Sequence, residues 1–528
     1  MLERFPSGGR SELECSAIAA ERRALIHELP RRGKHSMLKT RASLSFLLAL
    51  FVGELCGEPI RLHSSNPHYY LFNGKPTVLI TSAEHYGAMV NRDFDYVVYL
   101  DALKRYGFNY TRIYAGAMFE PMGKFIKGNP LGPKPASLMV PWSRSTVAGY
   151  NLGGNKFDLD HWNPAYFTRL KNFISEAGKR GVVVEIAFFN AQYSDTWPIS
   201  PLYYENNTQG VGKCDYQDAQ TLKHADLAQR ESEYVKKITQ EVNSFDNVIL
   251  EICDEAPDIG KPPTPLAEAG AWVSHLAEVV TKTESTLPKK HLVAVQVEGP
   301  VGGPLDLSAS PNVSIIVTQY VWLWGFQMGG MKGLDLEYGH NKPIEFNETA
   351  WYPVWYSGDA VADSRVEAWE FIVGGGGSFN HLNGRYTAED PAGETPDNAQ
   401  IVGALKSLRE FIYSFDFLTM SPGQSFVVDG LPAGVYCRGI SQPGQQYALY
   451  HHHSLRDKGP DKENAYIVTP GNYAENLELN LPGGTYKAEW VDPATGSVLA
   501  SEAFTHHGGN RTFSTPTHVV DIALRIRR

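Results

Sequence analysis

Between residues 66 and 420, short apolar runs alternate with stretches of helical spacing. A β-strand buried on both faces reads as a continuous apolar run, and a surface helix repeats its apolar positions every three to four residues. Strands, most of them apolar runs, are read at residues 77–81, 110–114, 182–188, 248–255, 291–297, 314–320, 342–348 and 378–381. Helical spacing is read at residues 93–106, 164–180, 219–245, 266–286, 365–373 and 398–415. In the first helix Phe94, Val97, Val98, Leu100 and Leu103 mark the apolar stripe, and in the second Pro164 opens and Gly181 closes the segment. Eight strands separated mostly by helices predict an α/β fold, a (β/α)8 TIM barrel over residues 58–420. In such a barrel, functional side chains stand at the carboxyl ends of the strands.

The texture changes near residue 421. Helical periodicity stops, and β-rich runs at 434–438, 446–450 and 484–490 alternate with Gly/Pro turns. Residues 421–528 are predicted to form a small antiparallel β-sandwich. Inside the barrel region, residues 115–158 are rich in Gly and Pro and read as one long loop after the second strand. A loop of that length in a compact domain is usually functional.

The first residues carry different signals. Residues 1–36 are polar and without clear periodicity, and are read as an extension preceding the true start at Met37. Lys39 and Arg41 form a basic start, residues 42–52 an apolar core, and Leu55-Cys56-Gly57 a cleavage site. Residues 37–57 are therefore predicted to be a signal peptide, which makes the mature chain secreted or periplasmic. The apolar core is too short for a membrane span, and no integral membrane segment is expected in the mature chain.

Composition narrows the partners. The chain has 528 residues, enough for a large and a small domain, with 42% hydrophobic and 12% aromatic residues. A formal net charge of −10 argues against a nucleic-acid partner, which calls for a basic patch. Past residue 57 only Cys214, Cys253 and Cys437 remain, which is neither a disulfide framework nor a metal knuckle. No cofactor and no metal is expected, and composition sets no oligomeric state. His451-His452-His453 invites a metal reading, but neighbouring strand residues alternate faces, so the run is expected on the surface.

Two runs lose their apolar character in a glutamate: Val248-Ile249-Leu250-Glu251-Ile252-Cys253-Asp254-Glu255 and Lys342-Pro343-Ile344-Glu345-Phe346-Asn347-Glu348. Such strands deliver carboxyl groups to a common rim. Glycoside hydrolysis needs two of them, one as nucleophile or base and one as proton donor. A separation of about 5–5.5 Å goes with retention of configuration, and roughly 6.5–9.5 Å with inversion. Glu345 is the rival to Glu348, and three residues apart on a regular strand the two face opposite ways.

The strand-four and strand-seven motifs resemble those of glycoside hydrolase clan A. The nearest in texture are bacterial cellulase-like (family 5-like) glycosyl hydrolases with a C-terminal β-sandwich. Their Glu-Ile-Cys-Asn-Glu-Pro motif is similar to Glu251-Ile252-Cys253-Asp254-Glu255-Ala256-Pro257, and their Asp-Glu-Thr to Asn347-Glu348-Thr349. The resemblance implies a retaining enzyme with Glu255 as acid/base and Glu348 as nucleophile. It implies Arg112 as the cation that keeps the nucleophile ionised and Tyr320 as its hydrogen-bond donor. Three places depart from the pattern, one of them on strand six, where the family's His-x-Tyr reads Thr318-Gln319-Tyr320. Asp254 stands where the family has an Asn that donates to the sugar 2-hydroxyl, and Asn190 lies where a strand-three His is expected.

Glu84 and His85 after strand one, and Asn380 and His381 on strand eight, share the functional rim and are candidate sugar contacts. Trp351, just past the seventh run, is a candidate sugar platform. The leading expectation is a secreted retaining glycoside hydrolase with a poly- or oligosaccharide substrate. The alternative, motivated by Asp254, is a non-catalytic carbohydrate-binding protein on a decayed barrel. A transglycosylase would use the same residues.

Overall fold

The computed structural model describes residues 57–85, 87–120, 131–255, 265–297, 302–318, 329–352, 360–456 and 466–528. The extension read at 1–36, and all but the last residue of the leader read at 37–57, lie outside them, as does Tyr320. No helix among the described residues is long and apolar enough to cross a membrane.

Eight parallel strands close a barrel. They are β1 (Leu79–Ile80, resumed at Glu84–His85), β2 (Tyr110–Tyr114), β3 (Val183–Asn190), β4 (Val248–Asp254), β5 (Leu292–Gln296), β6 (Ile315–Val317), β7 (Ile344–Tyr352) and β8 (Ser378–Asn383). Each pairs with its sequence neighbour, and β8 closes the ring by pairing with both β7 and β1. The longer of the described helices around it are α1 (Tyr96–Tyr106), α2 (Pro164–Lys179), α3 (Ala225–Val242), α4 (Leu266–Ser285), α5 (Gly329–Glu337), α6 (Ala360–Val373) and α7 (Pro396–Ile412). The predicted (β/α)8 barrel is the fold observed.

Local differences have physical causes. Helix α1 starts three residues later than its apolar spacing implies, because the Asp95 side chain caps it by accepting from the Val97 and Val98 amides. Val97 and Val98 are consequently exposed, and the buried stripe runs through Tyr99, Leu100 and Leu103. The presumed loop at 115–158 contains a strand, Trp142–Ala148, that pairs antiparallel with Asn155–Trp162. Gly153 and Gly154 take positive φ between these strands, and the Gly149 and Tyr150 amides close on the Gly154 carbonyl. The glycines that read as loop are the turn of a hairpin.

A small antiparallel sheet (Arg61–Leu62, Tyr70–Phe72, Lys75–Thr77) precedes the barrel. Its Tyr70 and Phe72 pack with Leu79, Tyr110, Val183, Ile249, Leu292 and Ile315, the residues near the amino ends of the barrel strands. That cluster closes the end opposite the functional rim.

From Ser421 onward the strands are antiparallel. A six-stranded sheet centred on β9 (Gln446–His452) and β10 (Asp521–Arg527) faces a three-stranded sheet across a core of Tyr447, Leu449, Leu477, Trp490, Phe513 and Leu524. The other face of β9 lies on α6, where Tyr450 stacks on Trp369 with ring centroids 5.5 Å apart. Ion pairs complete that seam: Arg365 to Asp521 at 2.8 Å and Arg438 to Glu370 at 3.2 Å.

Candidate functional site

The barrel interior is unusually acidic. Arg112 on β2 is fully buried and serves three carboxylates from two other strands. Its Nε and Nη2 donate to the two Glu251 oxygens at 2.7 Å each, a bidentate pairing. Nη2 also donates to Asp254 Oδ1 at 2.7 Å, and Nη1 lies 2.9 Å from Glu84 Oε2. Tyr114, two residues along β2, places its hydroxyl 2.8 Å from both Glu84 Oε1 and Asp254 Oδ2. Asn190, ending β3, donates from Nδ2 to Asp254 Oδ2 at 2.9 Å. Asp254 thus accepts from three side chains and is turned into the barrel wall. The carboxylate at this departure from the family pattern is an internal partner of Arg112.

A second layer lies deeper. Tyr110 donates to Glu345 Oε1 at 2.7 Å and also contacts Glu185. Asn347 Nδ2 reaches the same Glu345 oxygen at 3.1 Å. The tyrosine has one proton for two carboxyls, and burial pushes Glu185 far above the ordinary carboxylate range. Glu345 is a structural acid in this layer and does not reach the rim.

Glu348 does reach it. Regular alternation would set Glu345 and Glu348 on opposite faces, but β7 carries a bulge between Phe346 and Thr349, where it advances three residues against two on β8. Glu348 occupies that bulge with φ of 51°. It is buried, and its carboxyl lies within 4.8 Å of those of Glu84 and Asp254. Both Glu345 and Glu348 therefore face inward, at different depths.

Glu255 follows the last residue of β4 with φ of 50°. Its backbone amide donates to the Gln296 side-chain carbonyl on β5, and its carboxylate accepts from the Tyr193 hydroxyl. Among the described residues, four non-glycine positions have positive φ, and the other two are Asn73 and Asn341, a residue type that tolerates it. A left-handed glutamate is unusual, and backbone strain of this kind concentrates at functional sites.

One guanidinium cannot hold this many buried carboxyls ionised. Burial, with Asp254 adding to it and Arg112 opposing, pushes Glu84 up to about 7. Burial likewise pushes Glu251 up to about 8, against the pull of Arg112. Glu348 is driven well above the usual range by burial and then by Asp254, Glu255 and Glu84, with Arg112 opposing weakly. Arg112 was expected to hold the nucleophile ionised. Its donors instead go to Glu251, Asp254 and Glu84, and the balance at Glu348 favours the proton.

The other predicted contacts divide by placement. His85 is fully buried with both ring nitrogens engaged, Nε2 at 2.9 Å from the Tyr386 carbonyl and Nδ1 at 3.0 Å from the Gly87 amide. Burial brings it down to about 4. It braces the β1 loop and offers a sugar no free edge. His381 is likewise buried between Ser82 Oγ and the Ser364 carbonyl, 3.3 Å from each. Asn380 accepts from the Ala83 amide at 2.9 Å. Trp351 lies on β7, with its side chain outside the described residues. Sequence reasoning missed Tyr114, Tyr193 and Gln296. Tyr114 carried a usable signal as the last residue of a strand end already bearing Arg112. Tyr193 and Gln296 carried none, since only barrel closure brings them to Asp254-Glu255.

No family model matches the chain, and no curated protein matches it by sequence. Its fold is that of solved glycoside hydrolases. A glycoside hydrolase family 5 protein of Bacteroides vulgatus aligns over 89% of this chain and 93% of its own, with a TM-score of 0.55 at 13% identity. A second Bacteroides vulgatus protein, provisionally assigned as a glycoside hydrolase, aligns over 90% of this chain and 83% of its own, with a TM-score of 0.58 at 14% identity. The architecture shared with them is a (β/α)8 barrel with an attached β-sandwich.

Proposed function

We propose that the chain is an exported retaining glycoside hydrolase that cleaves O-glycosidic bonds of a poly- or oligosaccharide, with Glu348 as nucleophile and Glu255 as acid/base. The observation that carries this reading is the pair of left-handed glutamates, Glu255 just past the end of β4 and Glu348 in the bulge of β7, with the charge of Glu255 felt at Glu348. In the first step Glu348 attacks the anomeric carbon while Glu255 protonates the departing oxygen. In the second, Glu255 takes a proton from water as it displaces Glu348. The surrounding carboxyls disfavour an ionised Glu348 in the free protein. The same negative field stabilises the oxocarbenium character of the transition state, which is the differential binding that catalysis requires. Tyr193 on Glu255 and the Asp254–Asn190 pair then orient the acid and the mouth around it.

The second reading is a carbohydrate-binding protein without turnover. It is favoured by the same proton on Glu348, because a protonated carboxyl is not a nucleophile. One experiment separates the two. The full chain is screened against polysaccharides and aryl glycosides, with Glu348→Ala and Glu255→Gln in parallel. Turnover that falls about 10²–10⁴-fold in Glu255→Gln and vanishes in Glu348→Ala supports hydrolysis. Glycan binding with no turnover, unchanged in Glu255→Gln, supports the binding protein.

A further inference from the structure

The run His451-His452-His453 was expected on the surface, and it is buried. Alternation along β9 explains how its three rings divide. Tyr447 and Leu449 face the sandwich core, so His451 points to that side. Tyr450 and His452 point to the barrel, where His452 Nε2 lies 3.1 Å from Glu370 Oε2 on α6 and Nδ1 lies 2.8 Å from Ser454 Oγ. His452 is thereby satisfied. His451 and His453 meet two further side chains, Glu475 and His518.

Four ligand atoms converge there. His453 Nε2 lies 2.9 Å from Glu475 Oε1, while His451 Nε2 and His518 Nε2 lie 3.6 Å and 3.7 Å from Glu475 Oε2. All four donor atoms fall within 4.8 Å of one another. Hydrogen bonding accounts for the His453–Glu475 contact and for neither of the other two. Both 3.6 Å and 3.7 Å are too long, and His451 has no hydrogen-bond partner at either ring nitrogen, nor has His518 at Nε2. Leaving buried imidazole nitrogens unmatched is costly. A cation at the centre would satisfy them together. Tetrahedral zinc with bonds of about 2.0–2.1 Å sets its ligand atoms roughly 3.3 Å apart, and the separations of the three imidazole nitrogens from the two Glu475 oxygens lie on either side of that value.

The surroundings hold the ligands in the required form. His518 Nδ1 lies 3.2 Å from the Pro516 carbonyl, which fixes its proton there and leaves the Nε2 lone pair facing the cluster. The Thr515 hydroxyl donates to Glu475 Oε2 at 3.1 Å and accepts from the Glu475 amide at 2.9 Å. The His453 ring stacks on Tyr473 with centroids 3.5 Å apart. Reciprocal backbone bonds of 3.0 Å join Tyr473 to His518, and the His453 amide donates to the Val520 carbonyl at 2.9 Å.

We propose that His451, His453, Glu475 and His518 form a closed four-ligand site in the β-sandwich for zinc or a similar late first-row divalent cation. The site is separate from the barrel mouth and independent of the glycosidase reading. With four protein ligands and no open position it is structural. It pins the end of β9 to the segments carrying Glu475 and His518, next to the residue that docks β9 on α6.

The test uses the full chain purified without a polyhistidine tag. Zinc is measured after dialysis against Zn2+ and then buffer, and the Co2+-loaded protein is examined in the visible range. The expected result is about one zinc per chain, intense visible bands of tetrahedral Co2+, and a melting temperature that falls with a chelator. His451→Ala and Glu475→Ala lose the metal, and His507→Ala, at an exposed histidine, keeps it. Zinc well below one per chain with no cobalt band overturns the proposal. So does full metal retention in a His451→Ala/His518→Ala double variant. If the variants do not fold, the cobalt spectrum of the parent decides the matter.

Discussion

Glu255 and Glu348 hold a backbone conformation that crowds Cβ against the following carbonyl oxygen, at a cost of about 1–2 kcal/mol per residue. Glycine carries no such penalty. Glu255→Gly and Glu348→Gly are therefore each expected to raise unfolding free energy by about 1 kcal/mol while abolishing turnover. Urea unfolding beside the glycoside assay checks this, and a loss of stability in both would refute the strain argument. Asp254 gives a second prediction at this scale. Its negative charge helps hold the proton on Glu348. Asp254→Asn removes that charge, so the pKa of Glu348 falls and the acidic limb of kcat/KM moves to lower pH. A limb that stays put, or moves up, contradicts the electrostatics described.

Strands β1, β2 and β4 are tied together by one side chain. Arg112 reaches from β2 to Glu84 on β1 and to Glu251 and Asp254 on β4, all within the barrel. Removing one member of a buried ionic network leaves its partners uncompensated, at a cost of about 3–5 kcal/mol. Arg112→Met is expected to destabilise by that amount, read as a lower denaturant midpoint, and an unchanged midpoint would refute the tie. The bulge in β7 acts on the same scale. One extra residue between Phe346 and Thr349 resets the alternation, so that the strand turns two glutamates inward at successive depths.

For the whole molecule, the buried carboxyls set how stability responds to pH. Glu84 and Glu251 have an ordinary value of 4.5 and are raised to about 7 and about 8, chiefly by burial. Groups raised on folding contribute stability that is fully present below the unfolded value and lost as pH rises through the folded one. The melting temperature is therefore expected to fall between roughly pH 4.5 and pH 8. Glu185→Gln keeps the shape of another raised carboxyl and removes its titration, so it should lessen the fall at high pH. Differential scanning fluorimetry across that range tests both, and a melting temperature that rises with pH would refute them.

The sequence by itself determined the order of elements and the ends at which acids appear. Strands buried on both faces are largely apolar, so most of the barrel strands left legible runs, and the strand read at Tyr110–Tyr114 matches residue for residue although it carries Thr111 and Arg112. The change near residue 421 was equally legible, because antiparallel sheets write short alternating runs between turns. The tertiary structure decided which way each polar residue points and what it meets. The bulge at Glu348, the engagement of Arg112 by Glu251 and Asp254, and the closing of His85 onto backbone depend on contacts between strands far apart in the chain. The histidine run shows the same division. Alternation correctly separates His452 from its neighbours, but only folding brings Glu475 and His518 to the other two rings. Local periodicity is a property of the chain, whereas convergence is a property of the closed barrel and the folded sandwich.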